Sequence, residues 1–328
     1  MAIVAAGALF GSLLLHELAH SLMSRRFGIE VKRITLFLFG GVSESPEEMP
    51  SPKAEFWIAI VGPLTSFALS AIFFGLGYGS RLAGGPEALS AALGWLAVVN
   101  FALAVFNLIP GFPLDGGRVL RSAVWARTHD LEKATRWASY GGKAFAMILM
   151  GVGVARLIGG NWFGGLWLGV LGWLLFQAAQ GSYAQLMVKQ ALNQVQVAAL
   201  MSRGAVTIPP DATLQEAVEA YFMRHSFGGY PVVDDGGRLL GMLTRAHVKA
   251  VPAEQWHALR VADVMVGADR LVTLAPDEPA GEHLEALMDA NLGRLPVVED
   301  GRVVGVLSQT DLVRHLMWRD SGRGPDQL

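Results

Sequence analysis

Residues 13–26, LLLHELAHSLMSRR, set two histidines and a glutamate inside an apolar run that begins at Met1. On a helix His16 and His20 are four apart and share one face, with Glu17 one step round from His16. Two imidazoles at that spacing can grip one metal ion while the glutamate handles a proton, which is the mechanical content of H-E-x-x-H. The apolar setting sharpens the reading, because an ionisable side chain at membrane depth costs roughly 2.5 kcal/mol or more unless it has a partner or a task. A catalytic zinc takes three protein ligands and keeps one position open. The best third ligand lies in FNLIPGFPLDGGRVLR, residues 106–121, where Asp115 is the first acidic residue after a long apolar approach. Pro110 and Pro113 break a helix just before it, and Gly116 and Gly117 permit irregular backbone after it. Alone, Asp115 also suits a helix cap; its coupling to HELAH favours the ligand.

The elements that must hold these residues are membrane spans. The chain has 328 residues, 52% hydrophobic and only 16% charged, with a mean hydropathy of +0.39. Soluble chains carry about 25% charged residues, so at least part of this one is built for lipid. A net charge of −2 argues neither for nucleic acid nor for an acidic partner. No cysteine is present, so disulfide and thiol chemistry are excluded and a metal must be held by His, Asp or Glu. Apolar stretches of membrane length fall at 1–23, 55–79, 89–109, 138–158 and 162–182. Arg25, Arg26, Lys32, Arg33 and Lys53 follow the first stretch, and Arg118, Arg121, Arg127, Lys133, Arg136 and Lys143 follow the third. By the positive-inside rule these loops, and everything after the fifth span, are expected in the cytoplasm. The first and third spans then run the same way, bringing HELAH and Asp115 to one depth. Met1 falls on the outer side with no polar flank, so the expectation is that a further upstream helix is missing from this chain or that its start is placed too late.

HELAH in a membrane helix, coupled to NLIPGFPLDGGR, resembles the site-2 protease family of intramembrane zinc metalloproteases, specifically members with appended CBS domains. The resemblance implies that His16, His20 and Asp115 are the zinc ligands, Glu17 the base, and Asn107 a group that holds substrate or stabilises the oxyanion. FLFGGV, 37–42, resembles the family's membrane-dipping strand beside the active site. In GPLTSF, 62–67, the family often has Asn where Ser66 stands. A substrate helix has no free peptide carbonyl, so it must unwind locally, and TLFLFGG is an edge to which the opened segment can pair.

From residue 195 the composition turns to that of a soluble domain. Two segments of one pattern follow each other, with a VT-I/L-x-P string, an amphipathic helix, a PVV strand, a D-G turn and a final G-apolar-apolar-T/S strand. They resemble tandem CBS domains, an α/β pair that often binds adenine nucleotides between repeats. Ser308 and Asp311 keep the family's ribose-contacting pattern; Thr244 keeps the hydroxyl, but His247 replaces the aspartate.

The expected architecture is a polytopic α-helical membrane domain of about five transmembrane helices, 1–188, followed by a cytosolic α/β tandem CBS pair, 195–251 and 258–318. The expected function is hydrolysis of a peptide bond in or near the transmembrane segment of a membrane protein, in the lipid bilayer of the cell membrane. Zinc is the expected cofactor, with ATP, ADP or AMP a regulatory ligand and the CBS pair a candidate homodimer contact. The rival reading is a CBS-gated transporter or metal-handling protein. Glu17 discriminates, because an ion site needs ligands whereas hydrolysis needs a base that is not one.

Overall fold

The computed structural model describes residues 2–29, 33–37, 40–44, 49–225, 227–288 and 293–320. The chain divides into two compact units, Met1–Leu186 and Met187–Leu328.

The first unit contains α1 (Ala2–Arg26), a hairpin of β1 (Arg33–Phe37) and β2 (Gly40–Glu44), α2 (Pro52–Leu82), α3 (Glu87–Asn107), α4 (Asp115–Thr128), α5 (Leu131–Ile158) and α6, which begins at Trp162 and ends at Asn193. Five of these, α1, α2, α3, α5 and α6, are long and apolar enough to cross a membrane. Side-chain size shows how they pack. Ala54, Ala59, Ala104, Ala138, Ala146 and Ala179 are fully buried, whereas Phe74, Phe101, Ile148 and Trp173 are more than half exposed. Small residues between helices and large apolar ones outside are what lipid solvent selects, since lipid gives helices no hydrophobic reason to hide leucine. Local signals set the ends: Ser51 accepts the Ala54 N–H to cap α2, with Pro52 in its first turn, and Asp130 accepts the Lys133 N–H to cap α5.

Two differences from the sequence reading concern the site. Two helices overrun the apolar stretches most: α6 runs on to Asn193, and α5 begins at Leu131 because its polar first turns pack in the protein, with Ala134, Thr135, Ala138 and Ser139 buried. The backbone after Asp115 is not irregular. Asp115 opens α4, with Leu114 as its cap residue, and Gly116 and Gly117 lie in the first turn. Their role is close approach: a Cβ on Gly116 would run into the Leu108 and Ile109 carbonyls, and one on Gly117 into the Gly111–Phe112 backbone. The Pro110–Pro113 loop is thereby folded onto α4 and is tied to α5 by the Phe112 N–H, which donates to the Ala138 carbonyl at 3.0 Å.

β2 runs beside α1, and β1 pairs with β2 antiparallel from Arg33 opposite Glu44 to Phe37 opposite Gly40. Leu38 and Phe39, at the centre of FLFGGV, lie outside the described residues.

In the second unit the elements are α7 (Val197–Leu200), β3 (Ser202–Arg203), α8 (Leu214–Ala217), β4 (Gly229–Val233), β5 (Leu239–Thr244), α9 (Arg245–Lys249), α10 (Val261–Val264), β6 (Val266–Gly267), α11 (Leu284–Met288), β7 (Arg294–Glu299), β8 (Arg302–Ser308) and α12 (Gln309–Asp320). The repeats exchange their opening segments. β3, which opens the first repeat, pairs with β8 of the second; β6, which opens the second, pairs with β5 of the first. The cores follow the same exchange, Leu192 and Val197 packing with Leu295 and Leu307, and Val261 with Tyr230 and Leu243. Each half therefore completes its apolar core with residues from the other.

Candidate metal centre

Three atoms converge between α1 and the start of α4. His16 Nε2 lies 3.2 Å from His20 Nε2 and 3.2 Å from Asp115 Oδ2, and His20 Nε2 lies 3.3 Å from the same oxygen. The two histidines are 3% and 5% exposed. Their outer nitrogens are held from α2. His20 Nδ1 meets the Ile58 carbonyl at 2.6 Å and His16 Nδ1 meets the Ser66 hydroxyl at 2.9 Å. A carbonyl only accepts, so His20 Nδ1 carries the proton and its Nε2 presents a bare lone pair. That lone pair faces a carboxylate oxygen and a second imidazole nitrogen, so three donor atoms point at one small space in which a cation can sit. Zinc at about 2.0–2.1 Å from each of three tetrahedral ligands would hold them about 3.3–3.4 Å apart. The observed triangle fits, and the donor set of two imidazoles and one carboxylate suits zinc.

The helix α2 makes room for this. Ile58, Gly62 and Ser66 are spaced four apart and form one stripe facing α1. A Cβ on Gly62 would sit 2.5 Å from His20 Cε1, closer still to its Nε2, and 2.8 Å from His16 Nε2. No side chain larger than hydrogen fits there. Pro63, next along, lacks an N–H and leaves the local ladder of α2 incomplete where the histidines dock.

Glu17 is 8% exposed and lies on the same helix turn as the pair. Asn107, at the end of α3, is half-buried, and its side chain makes no hydrogen bond among the described residues. Ser66, whose polar role the family pattern left open, is fully buried and bonded to His16.

Sequence reasoning missed Gly62 and a buried ion pair. Glu55, in the first turn of α2, is 0% exposed, and its Oε1 accepts the Arg121 Nε–H at 2.5 Å, with Arg121 Nη2 in contact as well. The Arg121 guanidinium also lies 5.2 Å from the centroid of the Phe112 ring, in the loop before Asp115. The pair thus joins α2, which orients both histidines, to α4, which supplies Asp115. The stripe of Gly62 and Ser66 and the lone acid in an apolar span were the available signals.

In the second unit, Ser308 and Asp311 come together. Asp311 Oδ2 accepts from the Ser308 N–H at 2.9 Å and from its hydroxyl at 2.5 Å, while Oδ1 accepts from Ser202 at 3.2 Å. They line a cleft of about 430 Å³. Thr244 does not line it. Thr244 caps α9 instead, paired with His247 Nδ1 at 3.1 Å, so the histidine reproduces locally what Asp311 does for Ser308. Burial pushes the His247 pKa down. His225, exposed, stacks on Phe227, and His283 pairs with Glu278 at 3.0 Å.

A buried His–His–Asp triangle among membrane-length helices, followed by an α/β pair, defines a membrane-embedded metalloenzyme with a soluble appendage. Comparison with known proteins agrees. Peptidase family M50 matches residues 4–83 and 86–149, and the CBS domain matches 197–254 and 261–317. Rip3 of Mycobacterium tuberculosis H37Rv, named as a candidate zinc metalloprotease, is 36% identical over 309 residues, 93% of this chain and 78% of the relative. The protein sll0528 of Synechocystis, also named as a candidate zinc metalloprotease, is 33% identical over 318 residues, 96% of this chain and 83% of the relative. A solved structure, the site-2 protease of Methanocaldococcus jannaschii, is 30% identical and covers 53% of this chain and 75% of that one, with a TM-score of 0.42. The chain belongs to peptidase family M50, the site-2 proteases, and carries tandem CBS domains. It is a zinc metalloprotease embedded in a membrane.

Proposed function

We propose that the chain is an intramembrane endopeptidase that cuts a peptide bond in or near the transmembrane segment of a membrane-protein substrate, with His16, His20 and Asp115 as zinc ligands. The observation that carries the assignment is the triangle of 3.2–3.3 Å between two imidazole nitrogens and a carboxylate oxygen, a donor set and spacing that fit one zinc. Zinc held there supplies Lewis-acid polarisation of the scissile carbonyl and lowers the pKa of the attacking water toward ~7. Ser66 and the Ile58 carbonyl fix the imidazole orientations through Nδ1. Glu17 takes the proton as the water oxygen bonds to the carbonyl carbon. The same carboxyl returns that proton to the amide nitrogen when the C–N bond breaks. Asn107, through its side-chain N–H, shares the charge developing on the carbonyl oxygen. A substrate helix opened at the site can pair along the β1–β2 hairpin, whose inner strand β2 runs beside α1.

The membrane domain is assigned to 1–188 and the CBS repeats to 195–251 and 258–318. The basic loops after α1 and α3 support a multi-pass orientation in the cell membrane with the CBS pair in the cytoplasm. Adenine nucleotide binds the cleft at Ser308 and Asp311 and shifts protease activity. Coupling of ~1–3 kcal/mol is the expected range. The CBS pair also offers a homodimer contact.

The test is cleavage of a single-span substrate in liposomes. Wild type should cut, chelation should abolish cutting, and Glu17→Gln should leave no measurable product. Cleavage by Glu17→Gln near the wild-type rate would remove Glu17 from the chemistry and reopen an ion-handling role.

A further inference from the structure

Asp115, Arg118 and Arg121 follow one another at helical spacing along α4 and share the face that packs against α2. Asp115 joins the metal triangle, and Arg121 pairs with Glu55, about one turn of α2 before the Ile58 carbonyl that holds His20. Arg118 therefore stands between the metal centre and the buried ion pair. It is half-buried, and burial pulls its pKa down, with Glu55, Asp115, Arg121 and Glu17 the charges that act on it. Glu55 already has Arg121, and Asp115 belongs to the triangle. Among the described residues the Arg118 guanidinium makes one hydrogen-bond contact, from Nη2 to the Met49 sulfur at 3.8 Å, and no carboxylate oxygen lies within 4 Å of it. Met49 lies between β2 and α2, packed on the cluster of Ile29, Ala54 and Ile58.

A guanidinium offers five N–H donors in a fixed fork and accepts nothing, so one thioether leaves most of them unanswered. Unmet donors away from water are costly, and so are unmet acceptors. Opening a substrate helix creates such acceptors, because each freed carbonyl loses its N–H partner at a depth where water is scarce. Pairing along the β1–β2 hairpin answers only part of them, since successive carbonyls of an extended strand point to opposite sides and one side alone meets the hairpin. The others need a donor from elsewhere in the site. A charged donor suits them best, because hydrogen bonds with an ionised partner are roughly twice as strong as neutral ones.

We propose that Arg118 is a substrate-binding residue, whose guanidinium donates to the main-chain carbonyls that opening of the substrate helix exposes beside the scissile bond, on the side away from the hairpin. The inference rests on the endopeptidase reading above and adds the group that keeps the opened segment open. The contact forms only after unwinding. With an intact helical substrate its loss therefore falls on kcat, whereas with a short, already extended peptide the contact is present in the first complex and its loss falls on KM. A residue that merely supported the metal centre would lower kcat with both.

The experiment compares wild type, Arg118→Gln and Arg118→Lys in the full-length protein, using a single-span substrate in liposomes and an extended peptide spanning the same bond in detergent. Zinc content should be unchanged in both variants, since no member of the triangle is removed. Arg118→Gln should raise KM for the peptide about tenfold or more with kcat within about threefold, and should lower kcat for the helical substrate by a similar factor, as expected for loss of a hydrogen bond to a charged donor. Arg118→Lys should recover only part of this, because it keeps the charge without the fork. A thioamide scanned along the peptide, a weaker acceptor than the amide, should raise the wild-type KM at a carbonyl beside the scissile bond and add little in Arg118→Gln. Equal losses of kcat with both substrates, loss of zinc, full activity of Arg118→Gln, or a thioamide scan that leaves the wild-type KM flat would overturn the role of Arg118 while leaving the peptidase in place. Failure of wild type to cut either substrate would overturn both.

Discussion

Gly62→Ala is the smallest change that should empty the metal centre. The added methyl would lie 2.5 Å from His20 Cε1 and 2.8 Å from His16 Nε2, whereas ordinary contacts begin at 3.4 Å. The His20 ring must therefore retreat by about 1 Å, and a side chain displaced by more than about 0.5 Å no longer holds a metal in productive geometry. His20 cannot retreat freely, because its Nδ1 is held at 2.6 Å by the Ile58 carbonyl of the same helix that carries the new methyl. Perturbing groups that merely orient metal ligands costs about 10–100-fold in affinity. Displacing a ligand itself should exceed that, so we expect at least about 100-fold weaker zinc binding, or ~2.7 kcal/mol. Ala is about 0.8–1.0 kcal/mol better than Gly inside a helix, which offsets part of the cost of moving the ring in the apo protein. Gly75→Ala and Gly79→Ala in the same helix have nothing within 4 Å of the new methyl and are the controls. The assay is zinc competition against a calibrated chelator in detergent. A Gly62→Ala protein with zinc affinity within threefold of wild type would refute the placement of α2 against the histidines.

Other consequences are as specific. Glu17→Gln should retain stoichiometric zinc by metal analysis, because the proposed ligand set of His16, His20 and Asp115 is intact, while product formation in the liposome assay disappears. Asn107→Ala should be milder, losing about 10- to 1000-fold in kcat with zinc unchanged. Breaking the buried pair by Arg121→Met should destabilise the membrane unit by ~3–5 kcal/mol, because it strands the Glu55 charge, and the double variant with Glu55→Leu should recover much of this in thermal unfolding. His247 is held neutral by burial, its pKa lying below the unfolded value. The stability it contributes is therefore present above about pH 6.5 and falls away as the pH drops below it. Hydrogen exchange of residues 187–328 in the full chain should quicken between pH 7 and pH 5, after correction for intrinsic rates, more in wild type than in His247→Gln.

The convergence of His16, His20 and Asp115 was legible because burying such groups in apolar sequence is costly unless a partner or a task offsets it. Periodicity and charge located the five long helices, since lipid imposes a length and a charge bias on each. What stayed hidden was set by contacts between distant segments. Gly62 reads as one small residue among many until α1 is laid against α2 and its missing Cβ becomes the space for two imidazoles. Glu55 reads as an ordinary acid in a first helical turn, and only the approach of α4 shows it to be buried against Arg121. Gly116 and Gly117 suggested loose backbone, but they open a helix, because glycine serves close packing as well as freedom. The exchange of β3 and β6 between repeats also left no local trace, since each short strand pairs outside its own repeat.

The central claim is that His16, His20 and Asp115 hold one zinc. X-ray absorption at the zinc edge of the purified full-length protein tests it most directly. One zinc per chain is expected, with two imidazole nitrogens and carboxylate oxygen at about 2.0–2.2 Å, and the imidazole scattering should be lost in a His16→Ala, His20→Ala double variant. Stoichiometric zinc with an unchanged imidazole shell in that variant would contradict it.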